Sequence, residues 1–290
     1  MVSVAFDLAL RPGTLDDAEP CGQICYEAFK TISEQHNFPP DFPAPEAAVG
    51  LLSMLLSRSD VYSVVAEIDG KIVGSNFMWE QKLVAGIGPI TVDPKVQNST
   101  VGSRLMQDVL RRAEERGYAS VRLVQAAFHN RSLALYTKLG FDTREPLSLM
   151  NGPPLNLEMP GHVVRAANDN DREACNALCF RVHGHDRDVE VVDAINEGTA
   201  NVVEQDGRIA GYTTGINFLG HTVAESNEDL KALIGAVTEF QGPGFLLPTR
   251  NSDVFRWCLE KGLRVVLPMT LMSKGLYNEP RGAFLPSILY

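Results

Sequence analysis

The sequence predicts an α/β protein made of two tandem copies of one plan. Three observations carry that prediction. Short β-rich runs alternate with longer segments whose apolar residues recur at helical spacing. Two pairs of β-rich runs are joined by Asp-Gly, the strongest short-range hairpin signal. Three stretches of the first half recur in the same order in the second.

The recurrence is residue by residue. Arg11, Asp17, Glu19, Cys21 and Cys25 align without gaps on Arg165, Asp171, Glu173, Cys175 and Cys179. In both stretches an extended arm ends at arginine and an acidic cap opens an amphipathic helix. Residues 65–74, turning at Asp69-Gly70, are echoed by residues 202–211, turning at Asp206-Gly207. Tyr136 to Phe141 is echoed by Cys258 to Leu263, each a helix end with glycine placed to cap it. The stretch from Asn151 to Gly161 reads as the linker, which predicts domains at residues 1–153 and 160–290.

Element by element, the first copy predicts a strand over 6–11, a helix over 17–29, a proline-rich loop over 38–45 and a helix over 46–57. A hairpin over 62–79 and a strand over 86–92 follow. The next helix carries Val101, Leu105, Met106, Val109, Leu110 and Ala113 on one stripe. A strand over 121–126, a helix over 131–139 and a strand from Phe141 complete the copy.

With 290 residues, 44% of them hydrophobic, the chain can bury a sizeable core. No apolar run approaches the roughly 20 residues that a membrane span needs. Residues 1–7 lack a basic stretch leading into an apolar one, so no signal peptide is expected. Five cysteines, an odd count at low density, suit a reducing cytosol, and a cytoplasmic protein is expected. A net charge of −10 argues against nucleic acid and suits a cationic or neutral small partner. Cys21 with Cys25, and Cys175 with Cys179, sit one helical turn apart and read as core packing. His183 and His185 with Asp186 read as a pocket-lining loop, so no metal is expected.

The stretch from Val92 to Met106 raises the question of function. Asp93-Pro94 ends a strand, and the loop from Gln97 to Thr100 leads into a helix that starts near Val101. The loop's backbone N–H groups and the positive end of the helix suit a pyrophosphate, and Gly102 permits close approach. Ser99 or Thr100 as a plain helix cap explains the same residues without a ligand.

The order of elements separates these readings. A hairpin, a strand ending in Val92-Asp93-Pro94, a Gln97-to-Gly102 loop and a long helix precede a strand and the segment Tyr136-Thr137-Lys138-Leu139-Gly140-Phe141. This order resembles the GNAT superfamily of N-acetyltransferases over residues 11–150. Thr100 replaces the first glycine of the family's loop, and His129 stands where the family has asparagine, with Asn130 one place later. The resemblance implies two tandem GNAT-like domains. It also implies acetyl-CoA held by Ile90, Thr91, Val92, Gln97, Asn98, Ser99, Thr100, Val101, Gly102, Ser103, His129 and Asn130, and acetyl transfer to the amine of a small molecule.

By the same resemblance Tyr136 protonates the leaving thiolate. A phenol's pKa of roughly 10 lies not far above a thiol's roughly 8.5. A base for the amine is less evident, since no carboxylate lies between Val84 and Thr91. Glu80 is the first candidate and His36 the second. Phe38 and Phe42, in the loop where the family lines its acceptor site, are expected to wall the substrate. The second copy has glutamate and aspartate at the corresponding helix start, which would repel a pyrophosphate. It is expected to be a degenerate, supporting GNAT-like domain. Two alternatives remain at this stage: a non-catalytic acyl-CoA-binding or sensor protein, and a transferase acting on protein lysines or N-termini.

Overall fold

A computed structural model describes residues 8–97 and 100–289. It divides into two compact units. The first holds the described residues up to Leu123, together with Phe128–Asp142 and Leu289, and the second holds Val124–Ala127 and Thr143–Ile288.

In the first unit, β1 (Leu8–Pro12) leads through a 3-10 turn into α1 (Ala18–Gln35) and α2 (Pro45–Ser57). Next come β2 (Val61–Ile68), β3 (Lys71–Trp79) and β4 (Val84–Val92), then α3 (Val101–Arg116), β5 (Ser120–Ala126) and α4 (Asn130–Lys138). The strands lie in the order β1-β2-β3-β4-β5. The first four are antiparallel to their neighbours, and β5 runs parallel to β4. Asp69 and Gly70 turn the β2–β3 hairpin with φ of 51° and 73°, which is the geometry an Asp-Gly pair supplies.

Alternation along the strands sends odd and even residues of β3 to opposite faces. Phe77 joins Val65 under α1 and α2, in a core with Cys21, Cys25, Ala48, Leu52 and Leu55. Gly74 looks the other way, where a Cβ would lie 3.2 Å from Leu105 on α3. The apolar stripe of α3 from Val101 to Ala113 is buried, as its spacing predicts.

The second unit carries β6 (Asp142–Asn151) and β7 (Val163–Ala166), then α5 (Arg172–His183) and α6 (Asp188–Glu197). The hairpin β8 (Asn201–Gln205) and β9 (Arg208–Thr213) follows, then β10 (Thr222–Ala224), α7 (Asn227–Gly235), β11 (Phe245–Pro248), α8 (Ser252–Glu260), β12 (Arg264–Gly275) and β13 (Ala283–Leu285). One sheet runs β13-β10-β9-β8-β7, and β6 lies between β12 and β11. Thus β6, encoded at the end of the first repeat, packs within the second unit.

The duplication read from sequence recurs in side-chain geometry. Arg11 donates to Asp17 at 2.7 and 2.8 Å and to Glu67 at 2.9 Å. Arg165 donates to Asp171 at 2.7 and 2.8 Å and to Glu204 at 2.9 Å. Asp171 also accepts the Asn168 backbone N–H, as Asp17 accepts that of Thr14. All five cysteines are buried.

Candidate active site

Strands β4 and β5 pair only where Val84, Ala85 and Gly86 face Ser120, Val121 and Arg122. Beyond Gly86 the ladder stops although β4 continues to Val92, so one backbone edge of β4 is released. The β3–β4 register also shifts between Asn76 and Met78, which places extra β4 residues beside Gly88-Pro89. Asp93 N–H bonds the Val73 carbonyl on β3 at 2.9 Å. Alternation then points the N–H groups of Ile90 and Val92 to the released edge. The Gln97 side chain donates to the Val92 carbonyl at 3.4 Å, which shows that edge open to polar contact. Thr91 lies on the alternate position, and its buried hydroxyl makes no hydrogen bond.

At the end of this edge Asp93 accepts the Lys95 N–H at 2.9 Å and shapes the 3-10 turn Pro94–Val96. Thr100 occupies the N-cap of α3 and makes no side-chain capping bond. Gly102, in the first turn, is not required by packing. Among the described residues a Cβ built there meets Leu135 at 3.7 Å and Val92 at 3.8 Å, both ordinary contacts. Gly74 differs, because a Cβ there would strike the Thr91 carbonyl at 2.6 Å. Gly102 therefore stands bare, without a packing need, in the first turn of a helix N-terminus, where leading N–H groups favour an anion. Asn98 and Ser99 lie outside the described residues, and Val101 and Ser103 stand on either side of Gly102 in that first turn.

The second unit contrasts at the equivalent place. Ser226 caps α7, and Asp229 turns back to accept the Ser226 N–H at 3.0 Å. The capping expected from sequence is present, and the helix's own carboxylate takes up the polarity that an external anion would need.

Helix α4 begins beside the first-unit site. His129 is its N-cap, with Nδ1 accepting the Ser132 N–H at 3.3 Å. Burial, together with the Arg131 cation, pushes the His129 imidazole down to about 4, so it is neutral with its hydrogen on Nε2. Asn130 is exposed at the first helical position. Arg131 donates to the Gln97 side chain at 2.9 Å, which ties the loop before α3 to α4. Tyr136, one of two aromatic residues buried at the end of α4 with Phe141, is only 6% exposed. Burial pushes its phenol up to about 12, with a bond to the Ser132 hydroxyl pulling the other way.

The remaining sequence candidates separate. Glu80 accepts from Arg112 Nε at 2.7 Å and Nη2 at 3.2 Å and pairs with Arg116 at 3.5 Å, and its side chain is 9% exposed. Phe42 packs edge-on to Phe29 at 5.9 Å, against the α1–α2 core. Phe38 stacks on Phe128 with ring centroids 4.3 Å apart. Neither Phe128 nor the bond from Ser33 to Asp41, 3.0 Å, was singled out from the sequence. The partners in the Phe38–Phe128 stack are far apart along the chain, so no local pattern announces them.

Residues 26–141 match the model of the Acetyltransferase (GNAT) family. An uncharacterized N-acetyltransferase of Methanocaldococcus jannaschii is 24% identical over 143 residues, which is 47% of this chain and 61% of that protein's length. A proposed acetyltransferase from Pyrococcus horikoshii has a similar fold, with a TM-score of 0.71 at 18% identity, covering 100% of this chain and 95% of that one. A tandem GNAT protein from the clavulanic acid biosynthesis pathway superposes with a TM-score of 0.56 at 13% identity, covering 93% and 98% of the two chains.

Proposed function

We propose that the chain is a GNAT acetyltransferase, a reading supported by the family match over residues 26–141, and that its first repeat transfers an acetyl group from acetyl-CoA to the amine of a small molecule. The observation that carries this reading is Gly102. Its missing side chain serves no packing need, and it stands in the first turn of α3, where Thr100 makes no side-chain capping bond. Ile90 and Val92 on the released β4 edge supply backbone donors suited to a pantetheine arm and to a polarised thioester carbonyl. Gln97, Thr100, Val101, Ser103, His129 and Asn130 border the same region. Asn98 and Ser99 complete the loop in sequence.

Tyr136 supplies the proton for the departing thiolate. We assign the acceptor a positive charge in solution, in keeping with the net charge of −10. The second repeat, which we place at residues 160–290, supports the first without an anion site at α7, because Asp229 already occupies that helix start. The Phe38–Phe128 stack joins the α1–α2 loop, which we read as lining the acceptor, to the loop before α4.

The test is calorimetry with CoA, followed by a screen of small amines and lysine peptides for CoA release. Binding with turnover on a small amine supports the proposal. Binding without turnover on any acceptor makes the protein an acyl-CoA sensor, and absence of binding overturns the site.

A further inference from the structure

We propose that His36 is the base that takes the proton from the incoming ammonium group. The inference rests on the acetyl-transfer reading above and names a residue that the reading lacks. A free amine lone pair must form before attack, and β4 carries no carboxylate between Val84 and Val92. Glu80 is engaged by Arg112 and Arg116.

His36 is built for the task by its own helix end. It is the C-cap of α1, with its N–H on the Ser33 carbonyl at 3.1 Å. Asn37 takes the left-handed conformation at φ 59°, and Phe38 N–H returns to Ser33 at 2.9 Å. Ser33 also donates to Asp41 at 3.0 Å, so the loop is pinned at both ends of this turn. The imidazole Nδ1 lies 2.9 Å from the Ile32 carbonyl oxygen. A carbonyl only accepts, so in the neutral ring Nδ1 carries the hydrogen and Nε2 keeps its lone pair. His36 is exposed, which leaves Nε2 accessible to a ligand.

The ring's surroundings tie it to the start of α4. It lies 5.2 Å from the Phe128 ring, which in turn stacks on Phe38. Phe128 immediately precedes His129, the N-cap of the helix that carries Tyr136. Helix α1 itself packs on β4 and on the turn Pro94–Val96. The lone pair thus sits at the end of α1, beside the Phe128 ring that leads into the start of α4.

The proton and electron balance is complete. His36 Nε2 takes one proton from the ammonium nitrogen, and the freed lone pair forms the C–N bond at the thioester carbonyl carbon. Collapse breaks the C–S bond, and Tyr136 gives the sulfur its proton. The nitrogen then releases a second proton to solvent, solvent restores the Tyr136 phenol, and His36 discharges its proton to solvent. The amide keeps one hydrogen, and no oxidant or reductant is needed.

A structural role as a helix C-cap would also conserve the Ile32 bond, so the test must read chemistry. With an amine that the wild type acetylates, His36→Ala should lower kcat about 100-fold or more while leaving the KM for acetyl-CoA unchanged. Added imidazole should restore part of the lost rate. His36→Phe keeps a ring on Phe128 but has no lone pair and no vacated space, so it should be equally slow and insensitive to imidazole. Retention of more than a third of wild-type kcat by either variant overturns the proposal, as does a slow alanine variant that imidazole does not rescue. A wild-type protein that turns over no amine overturns the acetyl-transfer reading itself, and His36 falls with it.

Discussion

Gly102 faces Leu135 across a gap that would hold a methyl group, since a Cβ on the glycine would stop 3.7 Å from Leu135 Cδ2. Glycine in a helix costs up to about 1 kcal/mol relative to alanine. Gly102→Ala should therefore leave the fold unchanged or stabilise it by up to about 1 kcal/mol. If acetyl-CoA approaches the backbone there as proposed, the same methyl crowds it, and affinity for CoA should fall about tenfold, roughly 1.4 kcal/mol. Thermal melts and calorimetry on the two proteins check both halves. A more stable variant that binds CoA as tightly as the parent would remove the argument for this loop.

Tyr136 presents a stricter requirement than its sequence position implied. With the phenol near 12 and a thiol near roughly 8.5, transfer to a fully formed thiolate is uphill by roughly 5 kcal/mol. The proton must move while the C–S bond is breaking, when the sulfur is still gaining charge. Tyr136→Phe should then reduce kcat about 100-fold while the Kd for CoA stays within twofold. A phenylalanine variant with near-normal kcat would assign the residue to packing against Phe141.

Glu80 tests the base assignment from the other direction. Its carboxylate is nearly buried but Arg112 is about one-third exposed, so solvent screens part of the pairing. Glu80→Gln should cost about 1 kcal/mol of stability, read from urea midpoints. Its kcat should remain within about threefold of wild type. A loss of 100-fold or more would return the base role to Glu80 and remove it from His36.

What was legible in the sequence was local. The Asp-Gly turns and the Ser226–Asp229 cap each join residues at most three positions apart, and each formed as its residue types dictate, whereas Asp17, read as a helix cap, spends its carboxylate on Arg11 and Thr14 instead. The stripe on α3 was legible because helical period alone fixes which face is buried. The end of α1 was not. Lys30 to Gln35 contains neither glycine nor proline, so nothing stops the helix at Phe29, and it continues to Gln35. That extension is what delivers His36 to its position. Phe38–Phe128 and Glu80–Arg112 depend on chain crossings that no short window encodes, so the pattern of Phe38 and Phe42 alone suggested two equivalent walls. The structure gives Phe42 to the core and Phe38 to a stack.

A last prediction concerns acid stability, through a buried network in the second unit. Tyr212 and His221 Nε2 are 2.9 Å apart, and His221 Nδ1 lies 3.1 Å from Glu190, which Arg187 also holds. Burial and the Arg187 cation push His221 down to about 4, against the pull of Glu190. Burial alone would raise the Glu190 carboxyl, but Arg187 and His221 outweigh it and hold it below the usual carboxylate range. In both groups the folded chain binds fewer protons than the unfolded chain at mildly acid pH. Stability is therefore fully present above about pH 6.5 and falls as the pH drops toward 4, by at most about 3 kcal/mol from His221. His129, also depressed to about 4, adds to the loss in the same direction. His221→Gln removes one titrating group, so its loss of stability between pH 7 and pH 4.5 should be clearly smaller than that of the wild type. Urea unfolding followed by Trp257, which packs on the second unit's core, in a Trp79→Phe background reads this unit selectively. Parallel stability-against-pH curves for the two proteins would show that His221 titrates alike in the folded and unfolded chains, and that the network exerts no such control.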